Sequence, residues 1–147
     1  MWLYIAGFFD GEGSVSKNRY GFRITIPQTN KEVLEKIKDF VKFGYIIKVT
    51  KRKEHWKESW VYYISKQEEV YKFISGIKKF CIVKQNLIED TLPKLQQLLK
   101  EYKNKKVRRL KIINSAKKLR SAGLTYRQIG EKLKIDWGYA RRVIIKN

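Results

Sequence analysis

Two carboxylates stand two residues apart in a glycine-framed turn, Asp10-Gly11-Glu12-Gly13, directly after the apolar run Trp2 to Phe9. Ala6, Gly7 and Gly11 lack bulk along this stretch, so two copies of it can pack backbone against backbone. Such pairing brings two Glu12 carboxylates together, and like charges at that range are tolerable only with cations between them. That is an oxygen set suited to divalent-metal hydrolysis. The chain holds one copy of the segment, and a symmetric homodimer is the direct way to supply the second.

Other chemistries have no foothold. A single histidine, His55, and a single cysteine, Cys81, exclude a zinc scaffold, an internal disulfide and a Ser/His/Asp triad, and no glycine-rich phosphate loop is present. Cys81, between Phe80 and Ile82, reads as a small buried hydrophobe. His55 sits in a Lys/Glu-rich turn and reads as solvated.

The elements around the carboxylates follow from periodicity. Trp2 to Phe9 reads as a short helix released by the glycines. From Ser14 to Gln28 the pattern turns to period two, with Lys17 to Gly21 as a hairpin turn. Asn30 caps a helix carrying Val33, Leu34, Ile37, Phe40 and Val41, which Gly44 ends. Tyr45 to Lys51 and Ser59 to Ser65 form a second hairpin around the turn Arg52 to Glu58. Helices follow over Lys66 to Phe80 and Val83 to Tyr102. The order α-β-β-α-β-β-α predicts an α+β core with helices on one face of an antiparallel sheet and a polar, basic opposite face.

Beyond residue 102 the run Lys103-Asn104-Lys105-Lys106 reads as a linker, dividing a core (1–102) from a small all-α appendage (103–147). A fresh helix starts near Val107, and Ala122-Gly123 ends it. Thr125 with Gln128 has capping-box spacing, and Asp136 caps a last helix that buries Ala140, Val143 and Ile144. The formal charge is +20, with 15 basic and 3 acidic residues in 101–147. Such an excess implies a polyanionic partner. No apolar run approaches the ~20 residues of a membrane span, and Met1 to Phe9 lacks the basic lead of a secretory signal. The chain reads as intracellular and soluble, without a membrane partner.

The nine residues Ile5-Ala6-Gly7-Phe8-Phe9-Asp10-Gly11-Glu12-Gly13, with the element order over residues 1 to 100, resemble the LAGLIDADG homing endonucleases of the single-motif, homodimeric type. Ile stands for the first Leu of the motif and Glu for its second acid. The resemblance implies that Glu12 and the Gly11 carbonyl hold magnesium or another divalent cation, with Ala6, Gly7, Asp10 and Gly11 at the dimer interface. Asp10 is expected to make structural hydrogen bonds near the helix end. Gln28 matches the position that organises the attacking water, and Lys84 the lysine that stabilises the scissile phosphate, completing a catalytic set of Glu12, Gln28 and Lys84. Metal-activated water attacking phosphorus needs no histidine base.

The resemblance further implies that the sheet lies in the DNA major groove. By alternation Ser14, Ser16, Asn18, Arg23, Thr25, Lys48, Thr50 and Arg52 face double-stranded DNA, while Val15, Ile24, Ile26, Ile47 and Val49 face inward. Arg23 is the best guanine reader of that set. Leu119 to Ile144 is similar to the helix-turn-helix of resolvases and invertases, with Lys134 in place of the usual turn glycine. Its last helix would offer Trp137, Tyr139, Arg141 and Arg142 to a groove. The expected activity is metal-dependent double-strand cleavage at a long, near-palindromic site, serving an intron or intein. The rivals are an RNA maturase acting on host intron RNA and a cleavage-inactive DNA-binding regulator.

Overall fold

The computed structural model describes residues 1–50 and 53–146, which cluster into two compact units, Met1–Leu99 and Lys100–Asn147. The first contains α1 (Trp2–Glu12), β1 (Ser14–Asn18), β2 (Gly21–Gln28), α2 (Lys31–Val41), β3 (Tyr45–Lys48), β4 (Trp60–Ile64) and α3 (Gln67–Ile77). α4 (Gln85–Ser121) begins in this unit and runs into the second, which also holds α5 (Tyr126–Leu133) and α6 (Trp137–Ile145). The expected α+β class and element order are present.

Four antiparallel strands lie in the order β1-β2-β4-β3. The two hairpins therefore join through their second strands, with Ile24 opposite Ile64 and Ile26 opposite Tyr62. Paired residues share a face, and these four are fully buried with Ile5, Phe9, Leu34, Ile37, Phe73, Ile74, Ile77 and Ile88. Tyr62 keeps its hydroxyl satisfied in that apolar setting by donating to the Phe43 carbonyl at 2.7 Å. Burial pushes the phenol well above its ordinary pKa. Asn30 caps α2 as expected, accepting from the Glu32 N–H. The left-handed residue that closes α2 is Lys42 (φ 65°), and Gly44 bends the chain two residues later.

Two expectations about these elements fail. β3 has the opposite phase: Ile46, across from Tyr62, packs on the core, whereas Ile47 and Val49 are exposed at 46% and 40%. The neighbouring isoleucines make both phases apolar on one side, and the long-range pairing with β4 decides between them. Lys48 consequently shares the helix-side phase with Trp60. Secondly, Lys103 to Lys106 is no linker, because α4 continues through it. Lysine and arginine are good helix formers, and the run has no glycine or proline to stop the helix.

The second unit is a small three-helix cluster of the C-terminal turns of α4 with α5 and α6, built on Ile113, Ala116, Ile129, Ala140 and Val143. Thr125 and Gln128 form the reciprocal capping box that the sequence predicts, and Asp136 accepts from the Tyr139 N–H at 2.9 Å. Lys134 takes the left-handed conformation (φ 53°) that a turn glycine would adopt. Gly130 is required beside it: a Cβ there would lie 2.9 Å from the Ile135 carbonyl oxygen.

Candidate functional site

The motif segment forms α1, with one side built into the core and the other open. Ile5, Ala6 and Phe9 are fully buried, Leu3 is 67% exposed and Tyr4 52%. A Cβ added at Gly7 or Gly11 would meet nothing within 4 Å. Leu3, Gly7 and Gly11 repeat at a spacing of four, as do Tyr4 and Phe8, whose rings stack at 6.0 Å. The open side is thus apolar and low in relief, the kind of surface that a second helix covers.

This geometry corrects part of the expected interface. Ala6 lies in the chain's own core, because small residues signal close approach without saying from which side. Asp10 also turns inward. Its carboxylate accepts from the backbone N–H groups of Ile82 at 2.6 Å, Lys84 at 3.0 Å and Val83 at 3.2 Å. Burial opposes ionisation of Asp10, but these hydrogen bonds outweigh it and hold the carboxyl below its ordinary range. The sequence reading passed over Leu3, Tyr4 and Phe8 on this side; the spacing of four that joins Leu3 to the glycines and Tyr4 to Phe8 was the available signal.

Lys84 answers Asp10 from the other direction. Its ammonium donates to the carbonyls of Phe9 at 2.8 Å and Asp10 at 2.6 Å, the last turn of α1. Carboxylate on N–H groups and ammonium on carbonyls together make a reciprocal clasp between the end of α1 and the segment that opens α4. Cys81, buried beside the clasp, approaches the Ala6 carbonyl at 3.8 Å, and its thiol is pushed up to about 12, chiefly by burial. Gly13 lets the chain leave α1 over the Phe9 ring, where a Cβ would come within 2.1 Å.

Glu12 is exposed at this end of α1 and makes no hydrogen bond or ion pair with any described residue. In a chain of net charge +20, a carboxylate with no cation beside it among the described residues is open to a partner outside the chain. The side-chain and turn bonds that close α1 end on the Phe9 and Asp10 carbonyls, not on Gly11. Divalent magnesium or calcium takes six or more oxygens. One chain offers one such carboxylate, and no group of three His, Cys, Asp or Glu occurs among the described residues. Glu12 with the Gly11 carbonyl therefore supplies only part of the oxygen set that such a cation takes. Gln28 ends β2, and its side-chain oxygen accepts from the Thr29 N–H at 2.8 Å. No hydrogen bond among described residues joins it to Glu12 or Lys84.

The sheet face away from the core carries Ser14, Ser16, Asn18, Arg23 and Thr25 as expected, together with Tyr63, which pairs with Thr25 and Tyr45. Ser14 and Thr25 share a hydroxyl hydrogen bond of 2.7 Å, and the Arg23 Nε donates to Ser16 Oγ at 2.7 Å. Asn18 accepts from the Tyr20 N–H in the hairpin turn. Lys48 is not on this face and is ion-paired with Glu58 at 2.7 Å. Thr50 follows the end of β3, and Arg52 lies outside the described residues. In the second unit Trp137, Arg141 and Arg142 are exposed on α6, whereas Tyr139 is half-buried against the core. Tyr139 thus packs inward, one position from Ala140 on the buried stripe. No described helix is long and apolar enough to cross a membrane.

Comparison with known proteins places this architecture. The archaeal intron-encoded homing endonuclease I-Vdi141I, solved in complex with DNA, is similar over 99% of this chain and 94% of its own, at 23% identity and a TM-score of 0.52. The LAGLIDADG meganuclease I-AabMI, bound to uncleaved DNA, matches 69% of this chain and 38% of its own, at 24% identity and a TM-score of 0.53. The homing endonuclease I-CvuI, solved with uncleaved target DNA in the presence of magnesium, matches 66% of each chain at 14% identity and a TM-score of 0.50. These likenesses establish the fold. No curated protein sequence matches. Residues 1–78, more than half of the chain and including α1, the sheet and α3, match the LAGLIDADG-like domain, and the chain belongs to that family.

Proposed function

We propose that this chain is a site-specific DNA endonuclease acting as a homodimer. The observation that carries the reading is the open side of α1, apolar and cleared of bulk at Gly7 and Gly11, ending in an exposed Glu12 that has no partner among the described residues. Two such helices packed face to face bring the Glu12 carboxylates and Gly11 carbonyls of both chains to one seam. A divalent cation held there, magnesium by preference, supplies activation of the attacking water and neutralisation of charge on the scissile phosphate.

This chain's own residues set that up. Lys84 and Asp10 fix the last turn of α1, which holds Glu12 at a defined place. Phosphate approaching the seam meets the Lys84 ammonium, which can exchange its carbonyl partners for phosphate oxygen. Gln28 orients water at the end of β2. Each sheet lays Ser14, Ser16, Arg23 and Thr25 along one half-site, with Arg23 reading guanine. The partly buried Tyr63 on the same face adds a stacking surface.

The tail reads as a helix-turn-helix with α6 entering a groove through Trp137, Arg141 and Arg142. Sequence similarity to the resolvase and invertase type supports it, as do the capping box, the tight turn at Lys134 and the exposure of those three side chains. The homing endonucleases that share the fold support a mobile-intron role, since one of them is described as intron-encoded.

The test is cleavage of a plasmid library carrying randomised inserts, with and without magnesium. The wild type is expected to give double-strand breaks within one near-palindromic sequence. Glu12→Gln is expected to fold, dimerise and bind that sequence while cutting roughly a thousandfold more slowly, ~4 kcal/mol of barrier. Equal cutting by the two proteins would remove Glu12 from the site. No cutting by either, with binding intact, would favour a DNA-binding regulator.

A further inference from the structure

We infer that the middle of α4, residues 100–111, is a second, separate duplex-binding surface that grips the DNA phosphate backbone; this rests on the DNA-binding reading above. Burial along α4 ceases after Leu99 and resumes at Ile112 and Ile113, and all twelve residues between are exposed. The stretch holds Lys103, Lys105, Lys106, Arg108, Arg109 and Lys111, and after Glu101 no acidic residue occurs until Glu131. On a helix these six cations form five like-charge pairs at spacings of three or four, each of which weakens the helix. Neither core cluster includes any of them. Solubility explains no such excess, because a small domain needs a net charge of only about 2 to 8.

A polyanion turns that repulsion into attraction. Twelve helical residues span about 18 Å, the length of roughly five base pairs at 3.4 Å each. Lys105, Arg108 and Arg109 fall within an arc of about 100° on the helical wheel, so three cations can meet one strand together. The side chains are long, flexible point charges and forks, with Asn104 the one amide among residues 100–111, so the contact chiefly positions rather than specifies sequence. Duplex DNA is the occupant that agrees with the groove-reading faces elsewhere on the chain.

The experiment compares two triple variants of the full-length protein in binding to one duplex DNA fragment across a potassium chloride series. One carries Lys105→Gln, Arg108→Gln and Arg109→Gln. The other carries Lys72→Gln, Lys78→Gln and Lys79→Gln, exposed cations in α3 and just after it. Glutamine keeps helix propensity, and circular dichroism checks that helix content is unchanged. The α4 triple is expected to flatten the slope of log affinity against log salt by about 2 to 3, ~0.9 for each lost phosphate contact, and the α3 triple by less than ~0.9. Equal flattening by both triples would reduce the effect to overall charge and overturn the inference. An unchanged α4 triple beside a steep wild-type slope would overturn it while leaving DNA binding intact. Flattening seen with an RNA duplex of the same length and absent with DNA would overturn the choice of partner. A wild type that binds no duplex DNA would sink the underlying reading.

Discussion

Residues 1–99 set 18 basic side chains against 11 acidic ones, whereas residues 100–147 set 16 against 3. The first unit also holds every residue proposed for chemistry, each on a regular element or tied to one. The second buries five hydrophobic residues in its core and presents its charge to solvent. The contrast is one of order against charge. Cutting a phosphodiester needs groups held within fractions of an ångström, and the Asp10–Lys84 clasp is that kind of restraint. Holding DNA needs cations in number and tolerates mobility. On the proposed reading, chemistry belongs to the first unit and most of the charge that grips DNA to the second, and each prediction tries to break that separation.

The largest effect is expected from Gly7→Leu. A side chain at Gly7 meets nothing in the isolated chain, and leucine raises helix propensity by about 1 kcal/mol over glycine. The variant should therefore fold at least as stably as the wild type and yet be monomeric and unable to cut. Sedimentation, a melting curve and a cleavage assay read the three properties separately. A stable, dimeric and active Gly7→Leu protein would show that α1 is not the seam.

Removing residues 105–147 comes next. The first unit keeps its core, since Leu95, Leu98 and Leu99 remain, and it should still dimerise and cut. Affinity should fall at least tenfold, about 1.4 kcal/mol, and the footprint should shorten. Loss of cutting in a folded, dimeric truncation would place part of the chemistry in the tail and end the proposed division.

Asp10→Asn tests the restraint itself. Asn removes the charge from an acceptor of three N–H groups and should cost about 1–2 kcal/mol, since hydrogen bonds to charged groups are the stronger ones. The sign with pH follows from the lowered folded-state pKa of Asp10. Its stabilisation is complete above the ordinary carboxylate range and is lost as pH falls through that range toward the folded value. Wild-type denaturation curves should therefore steepen in acid more than those of Asp10→Asn. Parallel acid limbs would mean that the clasp holds nothing. Cutting near neutral pH should also slow in the variant, because Glu12 follows the clasp by two residues.

The clasp marks where reading a sequence stops. The motif, the strand pattern, the caps at Asn30, Thr125 and Asp136, and the core stripe of α2 are local and were legible from spacing. Asp10 meets its partners 72 to 74 residues away, and no local pattern announces that. The phase of β3 was undecidable within Ile46-Ile47 and was settled by Tyr62 on another strand. The supposed linker failed for a different reason: a run of lysines carries no stop signal, so helix already under way continued. Lys84 was found by family resemblance, and its hold on α1 was found only in three dimensions.

The smallest effect, and the sharpest test of independence, is expected from Thr125→Ala. Thr125 accepts from the Gln128 N–H, and Gln128 Oε1 accepts in turn from the Thr125 N–H at 2.9 Å. Losing the cap should cost about 1 kcal/mol. The second unit is small, and small units have little stability to spare. A loss of that size should lower its melting temperature by roughly 4–8 °C or more. Calorimetry should then show an earlier low-temperature transition beside an unmoved one from the first unit, with the rate of cutting at saturating DNA unchanged. One shared transition moving as a whole would mean that continuous α4 couples the two units into a single cooperative body. In that case grip and chemistry could not be tuned apart, even though their residues are separate in sequence.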